Sequence, residues 1–399
     1  MKILIIHHSS VVGGGTISGL DVAKMLHLLG HEVVFAAPCK GDILISKCSE
    51  LNIKLDIAGV PPLFTYHSAS TGGFKCISKY LISSIRLNKR WFNYIKSVAP
   101  DLVILNSVTQ APLLSIIQKL GIRSICTIRE TYRTFGSRLI NRMLRRLVSK
   151  ADAALYLTSF DKLQWSTSNR IQEVLPDVVD EDRYLVHTSI EIQEFKRINH
   201  INSNIKYVLY LGGTAYAKGL KDLLDAYNII SNHTEKIGLF ILGNLHQEKV
   251  SLPFRILNFK EIRYRKECQA LIQKFKDKHF PVFDVGLVSD TSYWYEASSA
   301  VAFPVKMVHQ PRPAYEAGYY HKPIVLPLYE NFSDYLNNGE NGLYYEANNI
   351  QSLANKLETL LSTEGLVESM GENNYNIYLH THSFNVGIDI LDKVLRMMF

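Results

Sequence analysis

Short apolar runs alternate with segments of helical periodicity along most of the chain. An apolar run at Lys2–His7 precedes a Gly-rich loop, and apolar residues then recur at helical spacing through Leu20, Val22, Met25 and Leu29. This alternation is typical of strand–helix–strand units in a parallel sheet. The pattern also predicts strands at Glu32–Ala37, Leu102–Leu105, Arg123–Thr127, Ala153–Leu157 and Glu173–Leu175, and a helix at Ser137–Ser149.

The pattern breaks once and then starts again. Residues 180–203 are polar and aperiodic, which predicts a linker, and 247–279 is a basic insertion carrying one helix. Strands are predicted at Tyr207–Leu211, Leu239–Leu242, Val282–Val285, Ala300–Phe303 and Pro323–Leu326, with helices at Leu220–Ile230 and around Ala314–Tyr319. We therefore expect an α/β protein of two Rossmann-like domains, 1–190 and 204–380, with a last helix at 384–399 that packs back on the first.

Composition and cysteine usage narrow the class of protein. The 399 residues are 47% hydrophobic and 20% charged, and no apolar stretch reaches the ~18 residues that a membrane-spanning helix needs. Five cysteines without a CxxC pair argue against a disulfide framework or a Cys-rich zinc site. A cytoplasmic location is expected.

Positive charge is concentrated in the first half. Residues 71–150 hold 15 basic and 2 acidic side chains. Basic helices that also carry Trp91 and Phe92 suit peripheral binding to an anionic membrane surface, here the inner face of the cell membrane. The alternative is a pair of surface helices that cover a sheet with their basic side chains in water. Nucleic acid is not expected as a partner because no recognised binding module is present.

The Gly-rich loop from Ser9 to Thr16 suggests a phosphate group near a helix N-terminus, although a loose turn without a ligand is the alternative. A dinucleotide fingerprint would need a third glycine at Ser18 and a carboxylate after the second strand, and both are missing. Hydride transfer is therefore disfavoured.

Two charged residues of the second half suggest a site for a nucleotide. Lys218 directly precedes a helix that starts at Gly219, a good place for a cation facing a diphosphate, although most turn lysines are simply solvated. Glu316 lies among small and aromatic residues, where a carboxylate can accept two ribose hydroxyls; a glutamate favoured by the helix dipole is the alternative.

Several segments, taken in order, resemble one known family. They are Gly14–Gly15, Gly30–Val33, Gly212 with Lys218–Gly219, Leu242–Gly243, Arg312–Gly318 with Lys322–Val325, and Gly339–Leu343. Together they resemble glycosyltransferase family 4 (group 1), whose members have the GT-B fold. The resemblance implies two Rossmann-like doubly wound domains facing a central cleft, the first for the acceptor and the second for a UDP- or GDP-sugar.

The resemblance also implies roles for individual residues. Glu316 would hold the nucleotide ribose, Lys218 would neutralise the donor diphosphate, and Gly14 and Gly15 would close over that diphosphate. The family's first motif glutamate falls at Val308 and its usual arginine at Gly213, so we hypothesise that Arg312 replaces the missing cation. Other donor-binding residues are expected at Gly213, Gly243, Val288, His309 and Gln310.

The same resemblance implies a retaining reaction without a positioned nucleophile. Catalysis would rest on Lys218, Arg312, Glu316 and backbone amides that stabilise the departing diphosphate. No cofactor or metal is expected, because no DxD-type pair or His/Asp cluster is present. For the acceptor we name Arg129, Glu130 and, more weakly, His67; a plain ion pair between Arg129 and Glu130 is the alternative.

These observations predict a glycosyltransferase that extends a cell-surface polysaccharide (capsule, lipopolysaccharide or exopolysaccharide) or its lipid-linked precursor. Two alternatives stay open. A catalytically silent nucleotide-sugar-binding protein would explain Val308 and Gly213, and a nucleotide-sugar epimerase would share the two-domain form.

Overall fold

The computed structural model describes residues 1–11, 13–59, 87–132, 138–245, 259–308 and 310–399. The chain divides into two compact units, the first made of Met1–Val178 and Ser383–Phe399 and the second of Val179–His382. The division between the units therefore lies before residue 190, and the helix at the C-terminal end belongs to the first unit.

The first unit is built on a seven-stranded parallel sheet of order β3-β2-β1-β4-β5-β6-β7. Its strands are β1 (Lys2–Ile6), β2 (Glu32–Ala37), β3 (Lys54–Ile57), β4 (Leu102–Leu105), β5 (Arg123–Ile128), β6 (Ala153–Tyr156) and β7 (Ile171–Val174). Its described helices are α1 (Gly14–Leu28), α2 (Asp42–Glu50), α3 (87–98), α4 (Leu114–Lys119), α5 (Arg138–Val148), α6 (Ser159–Trp165) and, at the end of the chain, α14 (Phe384–Met398).

The second unit has a six-stranded parallel sheet of order β10-β9-β8-β11-β12-β13. Its strands are β8 (Lys206–Tyr210), β9 (Ile237–Leu242), β10 (Val282–Gly286), β11 (Ala300–Ala302), β12 (Ile324–Pro327) and β13 (Gly342–Tyr345). Its described helices are α7 (Ser189–Ile198), α8 (Leu220–Ile230), α9 (Phe259–Asp277), α10 (Ser292–Ala297), α11 (Arg312–Tyr319), α12 (Ile350–Ser362) and α13 (Leu366–Thr381).

Each sheet separates two apolar layers. In β1, Ile3 and Ile5 face one layer of the core while Leu4 and Ile6 face the other, and all four are fully buried. Strands buried on both faces read as continuous apolar runs, which is why the sequence predicted them. The α/β fold class of two Rossmann-like parallel sheets is confirmed.

Several elements were not predicted, among them β3, β13 and α7. Strands β3 and β13 each lie at one edge of their sheets, and β13 begins inside the motif Gly339–Leu343. The expected linker contains helix α7, whose N-terminus carries a capping box between Thr188 and Glu191. Residues 180–203 are therefore in large part an ordered element of the second unit.

In the described part of the basic stretch, helix α3 turns Trp91 and most of Phe92 toward the core. Trp91 of α3 is 2% exposed in the core and Phe92 packs against that core, so these two rings are not available to a membrane, and binding of the basic helices to an anionic membrane surface stays a prediction. Lys89, Arg90 and Lys96 are exposed, as the surface-helix alternative requires. Within the described residues, no helix is both long and apolar enough to span a bilayer.

Candidate functional site

Glycine turns bring the carboxyl ends of β8 and β9 together in the second unit. Gly213 and Gly243 both have positive φ, and a Cβ at Gly243 would lie 2.7 Å from the Gly213 Cα. The Tyr210 hydroxyl donates to the Gly213 carbonyl at 2.8 Å, and the Gly243 amide donates to the Gly286 carbonyl at 2.8 Å. Ligands of open parallel sheets bind at this edge, outside the carboxyl ends of the strands.

Lys218 lies at the same edge, at the end of a 3-10 turn (Tyr216–Lys218). Gly219 follows with a φ of +73°, and a Cβ there would come within 1.7 Å of the Pro304 carbonyl oxygen. The loop after β11 is further fixed by an ion pair between Lys306 and Asp222 at 2.7 Å. Only glycine permits this close approach, which places Lys218 over the end of β11.

The electrostatic state of Lys218 suits an anion. Its ammonium nitrogen lies 5.3 Å from the centre of the Phe303 ring. Burial lowers the pKa of Lys218 from 10.5 to about 8, because desolvation disfavours the charged form. The side chain is still mostly protonated at neutral pH, and a bound anion would offset the free-energy cost of desolvating the ammonium group.

Glu316 and Arg312 are brought together on α11, four residues apart. The Arg312 Nε donates to Glu316 Oε1 at 2.7 Å. The hydroxyl of Tyr184 donates to the same oxygen at 2.5 Å, and the hydroxyl of Tyr295 donates to Oε2 at 2.7 Å. Glu316 is 6% exposed, so the pattern expected of a charge-compensated buried carboxylate is present.

The ion pair with Glu316 bears on whether Arg312 can replace the missing cation of the phosphate site. Its charge is balanced by Glu316, so it is not a surplus cation for a diphosphate, and its assignment as a replacement stays a prediction. Gln310 accepts a hydrogen bond from the Tyr335 hydroxyl at 2.6 Å, and Val288 is half-buried against the apolar layer of this unit. His309 and His67 lie outside the described residues.

In the first unit, the Gly-rich loop leads into α1, whose first residues are Gly14 and Gly15. A Cβ at either position would meet no described atom within 4 Å, and the first turn of α1 has no acidic residue. Packing within the described part of the unit therefore does not explain these glycines, whereas access for a ligand to the backbone amides would.

A directional chain of hydrogen bonds holds this loop. The Arg129 Nε donates to Asn106 Oδ1 at 2.7 Å, and Arg129 pairs with Asp177 at 2.7 Å. Asn106 Nδ2 must then donate to the Gly15 carbonyl at 3.1 Å and to His7 Nδ1 at 2.9 Å. His7 is thus neutral with its proton on Nε2, and its pKa is held well below 6.5 by burial first and then by His8 and Arg129.

Glu130 does not pair with the Arg129 side chain. Its carboxylate accepts from the Ser107 hydroxyl at 2.5 Å and from the Val108 and Arg129 amides at 3.0 and 3.1 Å. Burial raises the pKa of Glu130, and these hydrogen bonds oppose the rise. The alternative of an ion pair between the Arg129 and Glu130 side chains is therefore not seen, and the role of the two residues in binding the acceptor stays a prediction.

Sequence reasoning missed Asn106, Tyr184 and Tyr295. Each meets its charged partner across a long stretch of chain, so no local pattern marked them. Among the described residues, no group of three or more His, Cys, Asp or Glu side chains is placed to hold a metal ion.

Comparison with known proteins was made on sequence and on fold. Residues 191–377 match the model of the family "Glycosyl transferases group 1". The capsular polysaccharide biosynthesis glycosyltransferase CapM of Staphylococcus aureus is 24% identical over 164 residues, which are 41% of this chain and 39% of CapM. The match thus spans about two fifths of the length of that curated relative.

Two solved structures illustrate the fold. Anabaena Alr3699/HepE, in complex with UDP and glucose, has a TM-score of 0.78 at 16% identity with complete coverage of both chains. Sucrose-phosphate synthase from Thermosynechococcus elongatus has a TM-score of 0.74 at 14% identity, covering 100% of this chain and 99% of that one. At these identities the likeness establishes the GT-B type of fold. Together with the family match, it supports the resemblance predicted from the motifs: residues 191–377 match the group 1 glycosyltransferase model, and the finer assignment to family 4 stays a prediction.

Proposed function

We propose that the chain is a retaining glycosyltransferase that moves a sugar from a UDP- or GDP-sugar to a saccharide or lipid-linked acceptor of a cell-surface polysaccharide. The observation that carries the proposal is the desolvated Lys218 at the carboxyl edge of the second sheet. A diphosphate bound at that position would offset the desolvation of the Lys218 ammonium group. The UDP complex of HepE favours UDP over GDP as the nucleotide.

In this proposal, the protein's own groups carry the leaving-group chemistry. Lys218 stabilises the negative charge that develops on the departing diphosphate, which is an electrostatic contribution that needs no metal. Glu316, held by Arg312, binds the ribose. The phosphate oxygen that leaves takes the acceptor proton, so the reaction needs no positioned enzymatic nucleophile.

The proposed acceptor class rests on one curated relative and on the exposed basic residues of α3. CapM is named for capsular polysaccharide biosynthesis, which is the class of pathway that we propose for this chain. The exposed Lys89, Arg90 and Lys96 would favour a lipid-linked acceptor at the cytoplasmic face of an anionic membrane through charge alone, since Trp91 is buried.

Release of UDP tests the proposal. The purified chain is incubated with radiolabelled UDP-glucose or GDP-mannose, with and without extracted lipid-linked saccharide, and free nucleotide and sugar products are separated. We expect nucleotide release that depends on Lys218 and increases with acceptor. Binding without release would identify a silent binding protein, and a changed sugar still attached to its nucleotide would identify an epimerase. Anomeric analysis of the product by NMR tests retention.

A matched variant controls for a general loss of structure. Lys322 precedes β12 at the amino end of the strand, and burial also lowers its pKa to about 8. Lys322→Met should therefore keep nucleotide release, whereas Lys218→Met should lose it. Equal activity of the two variants would refute the role of Lys218.

A further inference from the structure

The carboxylate of Glu316 has an uneven set of donors. An ionised carboxylate offers about four acceptor positions, two on each oxygen. Oε1 already accepts from Tyr184 at 2.5 Å and from Arg312 at 2.7 Å, whereas Oε2 accepts from Tyr295 alone, at 2.7 Å. With respect to the described residues, one acceptor position remains, and it is on Oε2.

The three donors are fixed in place. Tyr184 and Tyr295 are buried, and burial and then the Glu316 charge raise the pKa of both hydroxyls, so each keeps its proton. The Tyr319 hydroxyl donates to the Tyr184 carbonyl at 3.0 Å, which holds the backbone of Tyr184 against α11. Displacing any of these donors would strand a buried polar group, which costs free energy.

We propose that Tyr184 and Tyr295 restrict Glu316 to accepting a single hydroxyl of the donor's ribose. A ribose presents two neighbouring hydroxyls, and a carboxylate with one open position on each oxygen accepts both. Here Oε1 is full, so only one hydroxyl is bonded to Glu316 and the other stays hydrogen-bonded to water. This inference rests on the function proposed above and concerns how the same site recognises its nucleotide.

The consequence is an asymmetric response to removal of the two hydroxyls. One of them is bonded to a buried charged acceptor, and its loss should weaken binding roughly tenfold or more. Loss of the other should leave the affinity within about twofold. A carboxylate that accepted both hydroxyls would instead make both losses costly.

Calorimetric titration of the whole chain with UDP, 2′-deoxy-UDP, 3′-deoxy-UDP and 2′,3′-dideoxy-UDP tests the proposal, with the guanosine series if GDP binds and UDP does not. We expect one monodeoxy analogue to bind like the parent, and the other to bind as weakly as the dideoxy analogue. Two weakened monodeoxy analogues with a still weaker dideoxy analogue would overturn the inference, as would four equal affinities. Failure of both UDP and GDP to bind would instead refute the proposed function, and with it this inference.

A variant tests the cause. Tyr295→Phe opens a second position on Oε2, so the gap between the two monodeoxy analogues should narrow. Tyr227→Phe is the matched control, because Tyr227 is another buried tyrosine of the second unit, whose hydroxyl donates to the Ile237 carbonyl at 3.2 Å. An unchanged gap in folded Tyr295→Phe that still binds the parent nucleotide would refute the role of Tyr295.

Discussion

Lys218 should stabilise a bound diphosphate and destabilise the ligand-free protein for the same physical reason. Burial lowers its pKa from 10.5 to about 8. Protonation of Lys218 is therefore less favourable in the folded than in the unfolded chain, by about 3 kcal/mol. The side chain is partly exposed, so we take about 1–3 kcal/mol as the expected cost. Lys218→Met keeps the aliphatic stem and removes this cost.

The pH dependence has a definite sign. Below pH 8 both the folded and the unfolded chain hold the proton on Lys218, so the full cost is present and the variant should be the more stable protein. Between pH 8 and 10.5 the unfolded chain holds more of that proton, so the wild type gains stability as the pH rises. The difference between the two proteins should therefore shrink over that range.

Scanning calorimetry of the whole chain at pH 6, 7.5, 9 and 10 measures the difference, with Lys322→Met as the control. Both variants should unfold at higher temperature than the wild type at pH 6. Saturating UDP should then stabilise the wild type and Lys322→Met by mass action, about 2.7 kcal/mol at a hundredfold excess over Kd, but not Lys218→Met. A Lys218→Met protein that is less stable at every pH, or that UDP protects as well as the wild type, would refute the reasoning.

Three further changes have expected outcomes. Gly219→Ala should destabilise the second unit by more than about 1 kcal/mol in urea unfolding, because a positive φ and the Pro304 carbonyl both oppose a Cβ. If the ion pair between Arg129 and Asp177 acts by positioning the Gly-rich loop, Arg129→Gln and Asp177→Asn should impair sugar transfer to a similar extent, and the double variant should lose little more. If only Arg129→Gln impairs transfer, Arg129 contacts the acceptor instead. Trp91→Ala should cost about 3–5 kcal/mol of stability, whereas a folded, stable variant that no longer binds anionic vesicles would contradict its core position.

The clearest strand predictions came from continuous apolar runs. In β9 every residue is buried, so its sequence carries the signal without ambiguity. In β3 all four residues are partly or fully exposed, and β13 begins with a glycine, so neither produced an apolar run. Edge position accounts for β3, because an edge strand buries less and needs fewer apolar side chains, whereas β13 is mostly buried and was missed because it is short and begins with glycine.

Some contacts of the candidate site could be predicted from residues close in sequence, and others join residues far apart in the chain. The pairing of Arg312 with Glu316 follows from their spacing on one helix and was open to prediction. Tyr184 lies 132 residues from Glu316, and Asp177 lies 48 residues from Arg129. Contacts of this kind depend on how the sheet and its loops are arranged, which no single segment of sequence contains.

The buried charges described in the first unit are compensated within the protein, which bears on the proposal that the second unit binds the diphosphate. In the first unit, Arg129 is paired with Asp177, and Glu130 is satisfied by a hydroxyl and two amides. Charge that is already compensated gains little from a ligand. In the second unit, desolvation lowers the pKa of Lys218 at the carboxyl edge of the sheet, and a bound phosphate would offset that desolvation. The basic residues of the first unit are more numerous, yet the compensation of its buried charges and the desolvation of Lys218 support the proposal that the diphosphate binds to the second unit.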